Sequence, residues 1–222
     1  PTGVKETLMK ILIAGANGKI GRHLVRRLAN SDHICRAMVR DPAQEWELRQ
    51  LGADEVVVAD LEGDCRAALI TCDAVVFTAG SGPHTGPDKT VDVDQNGAIN
   101  LIDQAENMGV DRFVIVSSMR ADEPDSGPEK MRHYFIAKQN ADNHLRASKL
   151  AYTIVRPGKL TEDAGTGKVR VAERLEDFGE IPREDVAAVL QAVLETPAAA
   201  GREFDLLSGD QPVEDAITAF TR

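Results

Sequence analysis

The sequence has little of what marks several large classes of protein. It holds three cysteines among 222 residues, and an odd number without metal-ligand spacing argues against a disulfide framework or a structural zinc site. We expect buried free thiols in a reducing compartment. Its net charge is -10 and it has no cluster of Lys and Arg, so nucleic acid is not an expected partner.

Long apolar runs are also absent. No segment approaches the roughly 20 apolar residues that cross a bilayer, and the first ten residues lack the apolar centre of a signal peptide. We therefore expect a cytoplasmic protein with no membrane partner and no metal site. Residues 1–8 precede Met9, and we expect them to be a flexible extension or an expression remnant.

The rest of the chain, residues 9–222, has the composition and length of one globular domain, with 42% hydrophobic and 28% charged residues. Short β-rich runs alternate with segments whose apolar residues have helical periodicity. Strands are expected at Lys10–Ala14, His33–Val39, Glu55–Ala59, Ala74–Thr78, Arg112–Ser117, Tyr152–Val155 and Glu203–Leu207. Helices are expected at Gly18–Asn30, Ala43–Leu51, Cys65–Ile70, Val91–Met108, Pro128–Ser148, Glu184–Glu195 and Val213–Phe220.

This alternation predicts an α/β Rossmann fold, a doubly wound and mainly parallel sheet flanked by helices. Two Gly- and Pro-rich segments, Gly80–Pro87 and Pro157–Gly167, are expected as loops. Each follows the carboxyl end of a predicted strand, where open α/β sheets bind ligands. Trp46 is expected to pack on the second helix rather than to stack on a ligand.

A glycine-rich turn lies between the first predicted strand and the first predicted helix. Gly15 permits a tight turn, Gly18 lets the backbone approach a pyrophosphate, and Gly21 lets the helix pack closely on the strand. The first N–H groups of the helix then point at the phosphates. We therefore predict a dinucleotide site, although a purely structural turn is the alternative. The predicted contacts in this turn are Gly15, Asn17, Gly18, Lys19, Ile20 and Gly21.

The residue after the second strand selects the dinucleotide. Arg40 stands where an arginine can bind the 2′-phosphate of NADP, whereas its neighbour Asp41 could instead bind the ribose hydroxyls of NAD. The position of Arg40 favours NADP over NAD. Asp60 and Leu61, just past the third strand, are placed to reach the adenine, although a surface acid is an equal alternative for Asp60.

Tyr134 and Lys138 lie four residues apart on a predicted helix and share one face of it. A nearby ammonium lowers the pKa of a phenol towards the range of a general acid or base, and the lysine can also hold the nicotinamide ribose. Ser117 and Ser118 end the fifth strand with hydroxyls suited to a substrate carbonyl. By spacing alone, a structural Tyr–Lys pair remains the default alternative.

These motifs resemble the extended or atypical branch of the short-chain dehydrogenase/reductase superfamily. The resemblance extends from Met9 onward and rests on the three glycines, the segment 109–118 (GVDRFVIVSS), the Tyr-x-x-x-Lys pair and the segment 152–158 (YTIVRPG). The segments 77–82 (FTAGSG) and 181–187 (IPREDVA) are similar to the NmrA-like and YhfK-type bacterial NAD(P)H-binding proteins, which are epimerase/dehydratase-like.

The resemblance implies a catalytic set of Ser118, Tyr134 and Lys138, with Ser118 rather than Ser117 on the substrate oxygen. It further implies cofactor contacts for a group of residues outside the glycine-rich turn: Ala79, Gly80, Ser117, Lys138 and Pro157. The segment on the C-terminal, substrate side is short, which argues against a nucleotide sugar.

The sequence therefore predicts an NADP-dependent oxidoreductase that transfers hydride between the cofactor and a small carbonyl or hydroxyl substrate. Two alternatives stay open: an NAD(P)-dependent sugar epimerase or dehydratase, and a non-catalytic, NADP-sensing regulatory protein. Since the helices show little apolar surface beyond one core face, we expect a monomer or a weak homodimer.

Overall fold

The computed structural model describes residues 8–80 and 86–222. Of the predicted extension at residues 1–8, only the exposed Leu8 belongs to this part of the chain. Residues 81–85, within the predicted Gly80–Pro87 loop, also lie outside it.

The described chain alternates strands and helices as the sequence predicts. The strands are β1 (Lys10–Ala14), β2 (Ile34–Val39), β3 (Glu55–Val58), β4 (Ala74–Phe77), β5 (Arg112–Val116), β6 (Ala151–Pro157), β7 (Lys159–Thr161), β8 (Lys168–Ala172), β9 (Glu180–Pro182), β10 (Arg202–Ser208) and β11 (Gln211–Pro212). The helices are α1 (Lys19–Leu28), α2 (Glu45–Gln50), α3 (Arg66–Leu69), α4 (Pro87–Lys89), α5 (Ala98–Asn107), α6 (Arg132–Ala147), α7 (Arg183–Glu195) and α8 (Val213–Thr221). A π-helix, Thr90–Gly97, joins α4 to α5.

The main sheet has the order β11-β8-β10-β6-β5-β4-β1-β2-β3. Pairing is parallel from β3 through β10, whereas β8 and β11 add an antiparallel edge. The direction of strand order reverses between β1 and β4, which makes the crevice beyond their carboxyl ends the expected ligand site. The predicted Rossmann fold is confirmed.

Helices cover both faces of the sheet because the central strands are apolar on both sides. In β1, Ile11 and Ile13 point into one core cluster, while Leu12 and Ala14 point into the other, as the two-residue period of a strand requires. Helices α1, α7 and α8 pack on the first face. Helices α3, α5 and α6 pack on the second face. Both layers therefore pack against the carboxyl end of β1.

Several boundaries differ from the sequence prediction. The helix expected at Val91–Met108 begins with the π-helix, and the helix expected at Pro128–Ser148 begins only at Arg132, after a 3₁₀ turn at Glu129–Met131. Strands β7, β8, β9 and β11 are not predicted. The sequence of β8 does carry a strand pattern. Val169 is buried between exposed neighbours, and this alternation is typical of a half-buried strand.

Trp46 does not pack as expected, because its side chain is 72% exposed. Helix α2 buries only Leu48, so the indole faces solvent. The expectation for the thiols is confirmed, because all three cysteines are free and buried. Burial raises the pKa of Cys35 to about 12 and that of Cys65 to about 11, so these two thiols are poor nucleophiles at neutral pH.

Within the described ranges, no helix combines the length and the apolar character that a membrane span requires.

Candidate functional site

The glycine-rich turn adopts the geometry that its sequence predicts. Gly15 has φ +84°, and a Cβ there would lie 2.5 Å from the backbone N of Ala79. The Gly18 N–H donates to the Gly15 carbonyl at 2.9 Å, and Gly18 is the N-cap of α1. A Cβ on Gly21 would lie 2.2 Å from the Gly15 oxygen. Side chains are therefore excluded at Gly15 and Gly21, and the N-terminus of α1 opens towards the crevice.

A cavity of about 430 Å³ occupies this crevice. It is bounded by the carboxyl ends of β1, β2, β3 and β4, so it lies at the switch point of the sheet. The residues that line it are Gly15, Asn17, Gly18, Met38, Val39, Arg40, Gln44, Ala59, Asp60, Leu61, Glu62, Ala79, Gly80, Lys89 and Val93. Eight of the residues predicted to bind the cofactor line it: Gly15, Asn17, Gly18, Arg40, Asp60, Leu61, Ala79 and Gly80.

The other predicted cofactor residues lie elsewhere around this edge of the sheet. Ile20 is 7% exposed and belongs to the core beneath α1. The Lys19 ammonium pairs with the Glu162 carboxylate at 2.8 Å. Pro157 is buried, and its carbonyl accepts the Met119 N–H at 3.0 Å. Their side chains therefore make protein contacts, and Ile20 acts through packing.

The side chains of Arg40 and its neighbour Asp41 have different surroundings. Arg40 is exposed and lines the cavity. The Asp41 carboxylate instead accepts the Ala43 N–H at 2.9 Å as the N-cap of a 3₁₀ turn, a common role for aspartate at helix starts. The sequence left these two residues as alternatives, and Asp41 already has a structural role.

Ser118, Tyr134 and Lys138 come together beyond the carboxyl end of β5. The Ser118 hydroxyl donates to the Met119 carbonyl at 3.2 Å, and it lies near enough to the Tyr134 phenol to lower the pKa of that phenol. The Lys138 ammonium lies 5.7 Å from the centroid of the Tyr134 ring and donates to the Val116 carbonyl at 3.2 Å. Lys138 is 3% exposed, whereas Tyr134 is half-buried. Ser118 is also partly exposed, so the serine and the tyrosine are open to a small molecule and the lysine is not.

The pKa of the Tyr134 phenol differs from the sequence expectation. Burial raises it above its ordinary value, and the Lys138 ammonium and the Ser118 hydroxyl lower it by less. The carboxylates of Asp94 and Asp142 add to the rise. Lys138 thus acts in the expected direction, but burial outweighs it, so the phenol keeps its proton at neutral pH.

Asp94 is a functional residue that the sequence analysis missed. Its carboxylate is 1% exposed and lies 3.1 Å from the Lys138 ammonium. A Cβ on Gly80 would lie 3.2 Å from Asp94 Oδ1, so the carboxylate joins the Tyr–Lys pair to the wall of the cavity. Burial lowers the pKa of Lys138, but Asp94, Tyr134 and Asp142 together raise it by more, with the Asp94 charge the largest of these, and hold it above its ordinary value. The sequence pattern does not indicate that Asp94 points inward, because the π-helix changes the helical period.

The Ser117 side chain is held away from the cavity. It is 2% exposed, and its hydroxyl donates to Asp142 Oδ2 at 2.5 Å. Burial raises the pKa of Asp142 to about 6, even though this hydrogen bond and the Lys138 charge lower it. Tyr134, Lys138 and Asp142 follow one another at four-residue spacing on α6, so one helix face carries these three titratable groups.

The donor set of the cavity fits a nicotinamide dinucleotide. Backbone N–H groups at a helix start suit a pyrophosphate, Arg40 suits a further phosphate, and the apolar Met38 and Leu61 suit an adenine. Among the described residues, no group of three or more His, Cys, Asp or Glu side chains could hold a metal ion.

Comparison with known proteins agrees with this assignment. A family model described as NAD(P)H-binding matches residues 15–197. The chain is 45% identical over 213 residues to YhfK of Bacillus subtilis (strain 168), named an uncharacterized sugar epimerase, and the match covers 94% of this chain and 99% of YhfK.

Solved structures give the same result. A Bacillus halodurans protein, provisionally described as an NAD-dependent epimerase/dehydratase, is 46% identical with a TM-score of 0.94, covering 96% of this chain and 100% of that one. The oxidoreductase ylbE from Lactococcus lactis is 26% identical with a TM-score of 0.82, covering 95% and 96% of the two chains.

Proposed function

Since the chain belongs to the NAD(P)H-binding family, whose named relatives include an epimerase and an oxidoreductase, we propose that it is an NADPH-dependent reductase of a small carbonyl compound. The observation that carries this proposal is the convergence of Ser118, Tyr134 and Lys138 beside the dinucleotide cavity. The Asp94 carboxylate connects the two parts, because it contacts Lys138 at 3.1 Å and lies against Gly80 in the cavity wall.

The cofactor, when bound, supplies hydride to the substrate carbon. Tyr134 gives its phenolic proton to the substrate oxygen, and the raised pKa of that phenol keeps the proton available at neutral pH. Ser118 orients the same oxygen through its hydroxyl. Lys138 stabilises the phenolate that remains after proton transfer, because its charge lies 5.7 Å from the ring centroid in a site with little water.

Arg40 supports NADPH over NADH. Its guanidinium lines the cavity and can bind a 2′-phosphate through charge-assisted hydrogen bonds. Asp41, the residue that would favour NADH, caps the following turn. The carboxylate on which NADH binding would depend is therefore engaged by the backbone.

Calorimetric titration with NADPH and NADH tests the cofactor assignment. Arg40→Ala should weaken NADPH binding by about 10- to 100-fold, the range of one charge-assisted contact, and should leave NADH binding unchanged. Asp41→Asn serves as the matched neighbour and should keep the preference for NADPH. Equal affinity of the wild-type protein for both nucleotides would contradict the assignment.

Steady-state oxidation of NADPH by a panel of aromatic aldehydes tests the mechanism. Tyr134→Phe should abolish turnover and keep NADPH affinity within about twofold, because only the proton-donating hydroxyl is removed. Ser118→Ala should lower kcat while its NADPH affinity is likewise retained. Full turnover in the Tyr134→Phe variant would refute the role of the phenol.

An epimerase is the second candidate, favoured by the name of the 45% identical relative YhfK. An epimerase must keep its cofactor through the cycle, whereas a reductase releases it. Nicotinamide dinucleotide that stays bound through extensive dialysis, together with no net oxidation of NADPH by carbonyl compounds, would favour the epimerase.

A further inference from the structure

Arg120 has an unusual backbone conformation next to the catalytic cluster. It follows Ser118 by two residues and has φ 72°, in the left-handed region that residues with a Cβ rarely occupy. Such strain is retained where the surrounding structure fixes a side chain for a purpose, and it clusters at ligand sites.

Backbone contacts place Arg120 at the rim of the catalytic cluster. The residue between it and Ser118 is Met119, whose N–H donates to the Pro157 carbonyl at 3.0 Å. Just beyond Pro157, the Lys159 N–H donates to the Gly179 carbonyl at 2.9 Å. The segment that carries Ser118 therefore lies beside the segment that carries Phe178.

The side chains of Arg120 and Phe178 meet across these segments. The guanidinium carbon of Arg120 lies 4.7 Å from the centroid of the Phe178 ring. Phe178 is 49% exposed, so its ring has free surface for a ligand. A guanidinium over an aromatic face keeps the N–H groups along its edge available to an anion.

The carboxylates that follow Arg120 in the chain already pair with other arginines. Arg174 pairs with Asp122 at 3.3 Å and with Glu123 at 2.6 Å, and Arg132 pairs with Asp125 at 2.5 Å. Among the described residues, no carboxylate lies within 4.0 Å of the Arg120 guanidinium. In a chain with a net charge of -10, a cation without such a partner at the rim of a site is suited to an anionic ligand.

We propose that Arg120 and Phe178 form the substrate-recognition site, and that the substrate is a carbonyl compound with a carboxylate and a flat apolar body. The carboxylate binds the guanidinium, the body packs on the ring, and the carbonyl reaches Ser118 and Tyr134. The part of this inference that concerns the carbonyl depends on the proposed function, whereas the anion site does not.

The anion site is tested by binding alone, with benzoate and benzamide titrated into protein saturated with NADP⁺ and observed by ligand NMR. Benzoate should bind at least tenfold more tightly than benzamide. Arg120→Gly should remove this difference, and it should fold normally because glycine adopts the same backbone conformation without strain. Arg132→Gln is the matched control, since Arg132 is already paired with Asp125, and should keep the preference.

Turnover provides the second measurement, with 4-formylbenzoate and its methyl ester as probes with NADPH. The carboxylate should have a KM at least tenfold lower than the ester, and Arg120→Gly should raise that KM to the value for the ester. If both probes turn over with equal KM in the wild-type protein, the inference is wrong while the proposed reductase stands. If neither probe turns over but benzoate binding depends on Arg120, the reductase is wrong and the anion site stands.

Discussion

Removal of one charge from the buried Lys138–Asp94 pair should cost the fold more than any change at the nearby surface. Both side chains are at most 4% exposed, and their charged atoms lie 3.1 Å apart. Asp94→Asn keeps the shape of the side chain and removes its charge. The ammonium is then left in a site of low polarity without its close counter-ion, which costs about 3–5 kcal/mol in buried pairs.

The pH dependence of the unfolding free energy tests whether the lost stability comes from the unpaired Lys138 ammonium. In the wild-type protein, the pKa of Lys138 is raised, so the pair's contribution is full below the unfolded pKa of about 10.4 and is lost only as the pH rises through the folded pKa. In Asp94→Asn, burial acts against only the smaller effects of Tyr134 and Asp142, and the pKa of Lys138 falls. The unfolded chain then binds the lysine proton more tightly than the folded chain does. The loss in free energy of unfolding of Asp94→Asn relative to wild type should therefore shrink as the pH rises from 7 to 10.

The assay is urea unfolding of wild-type protein and variants between pH 7 and pH 10. Asp92→Asn is the matched control, because Asp92 lies on the same π-helix and pairs with Lys89 at 3.3 Å with both side chains 40% or more exposed. It should unfold close to the wild-type midpoint at every pH. The reasoning fails if Asp94→Asn is no less stable than Asp92→Asn, or if its deficit does not change with pH.

Two further predictions concern the glycine-rich turn and Asp142. Gly15→Ala should abolish NADPH binding measured by calorimetry, and it should lower the free energy of unfolding more than Gly109→Ala does. Both glycines have positive φ, but only a Cβ at Gly15 would meet backbone, 2.5 Å from the Ala79 N. Equal losses of stability in the two variants would contradict this reasoning. Asp142→Asn should gain stability relative to wild type as pH rises from 3 to 7, by about 3 kcal/mol in urea unfolding, because a carboxyl whose pKa is raised to about 6 loses its stabilising contribution on ionisation. A pH-independent difference would refute this reasoning.

The parts of the site that the sequence predicts are those whose geometry is local. Gly15, Gly18 and Gly21 act within one turn, so their spacing determines their contacts. Tyr134 and Lys138 share a face by helical period alone, and both lie on α6 as the sequence predicts. Each of these inferences needs only the standard geometry of a strand, a turn or an α-helix.

The parts that it misses depend on irregular backbone or on distant segments. Asp94 points inward because the π-helix at Thr90–Gly97 departs from the period of 3.6 residues, and nothing in that segment marks the change. Arg120 reaches its position through a left-handed backbone conformation that a non-glycine residue does not signal. Residue type predicts that Trp46 packs on the second helix, although α2 buries only Leu48.

The direction of the proposed reaction follows from how these charges combine. A lone ammonium beside a phenol would lower the phenol pKa and favour uptake of a proton, which is the oxidative direction. Here Asp94 compensates the Lys138 charge and adds its own to the rise in the pKa of Tyr134, which burial begins. Under the proposed function, the buried carboxylate therefore biases Tyr134 towards proton donation. Loss of that carboxylate should shift the pH profile of carbonyl reduction to lower pH, because the phenol would then lose its proton more readily.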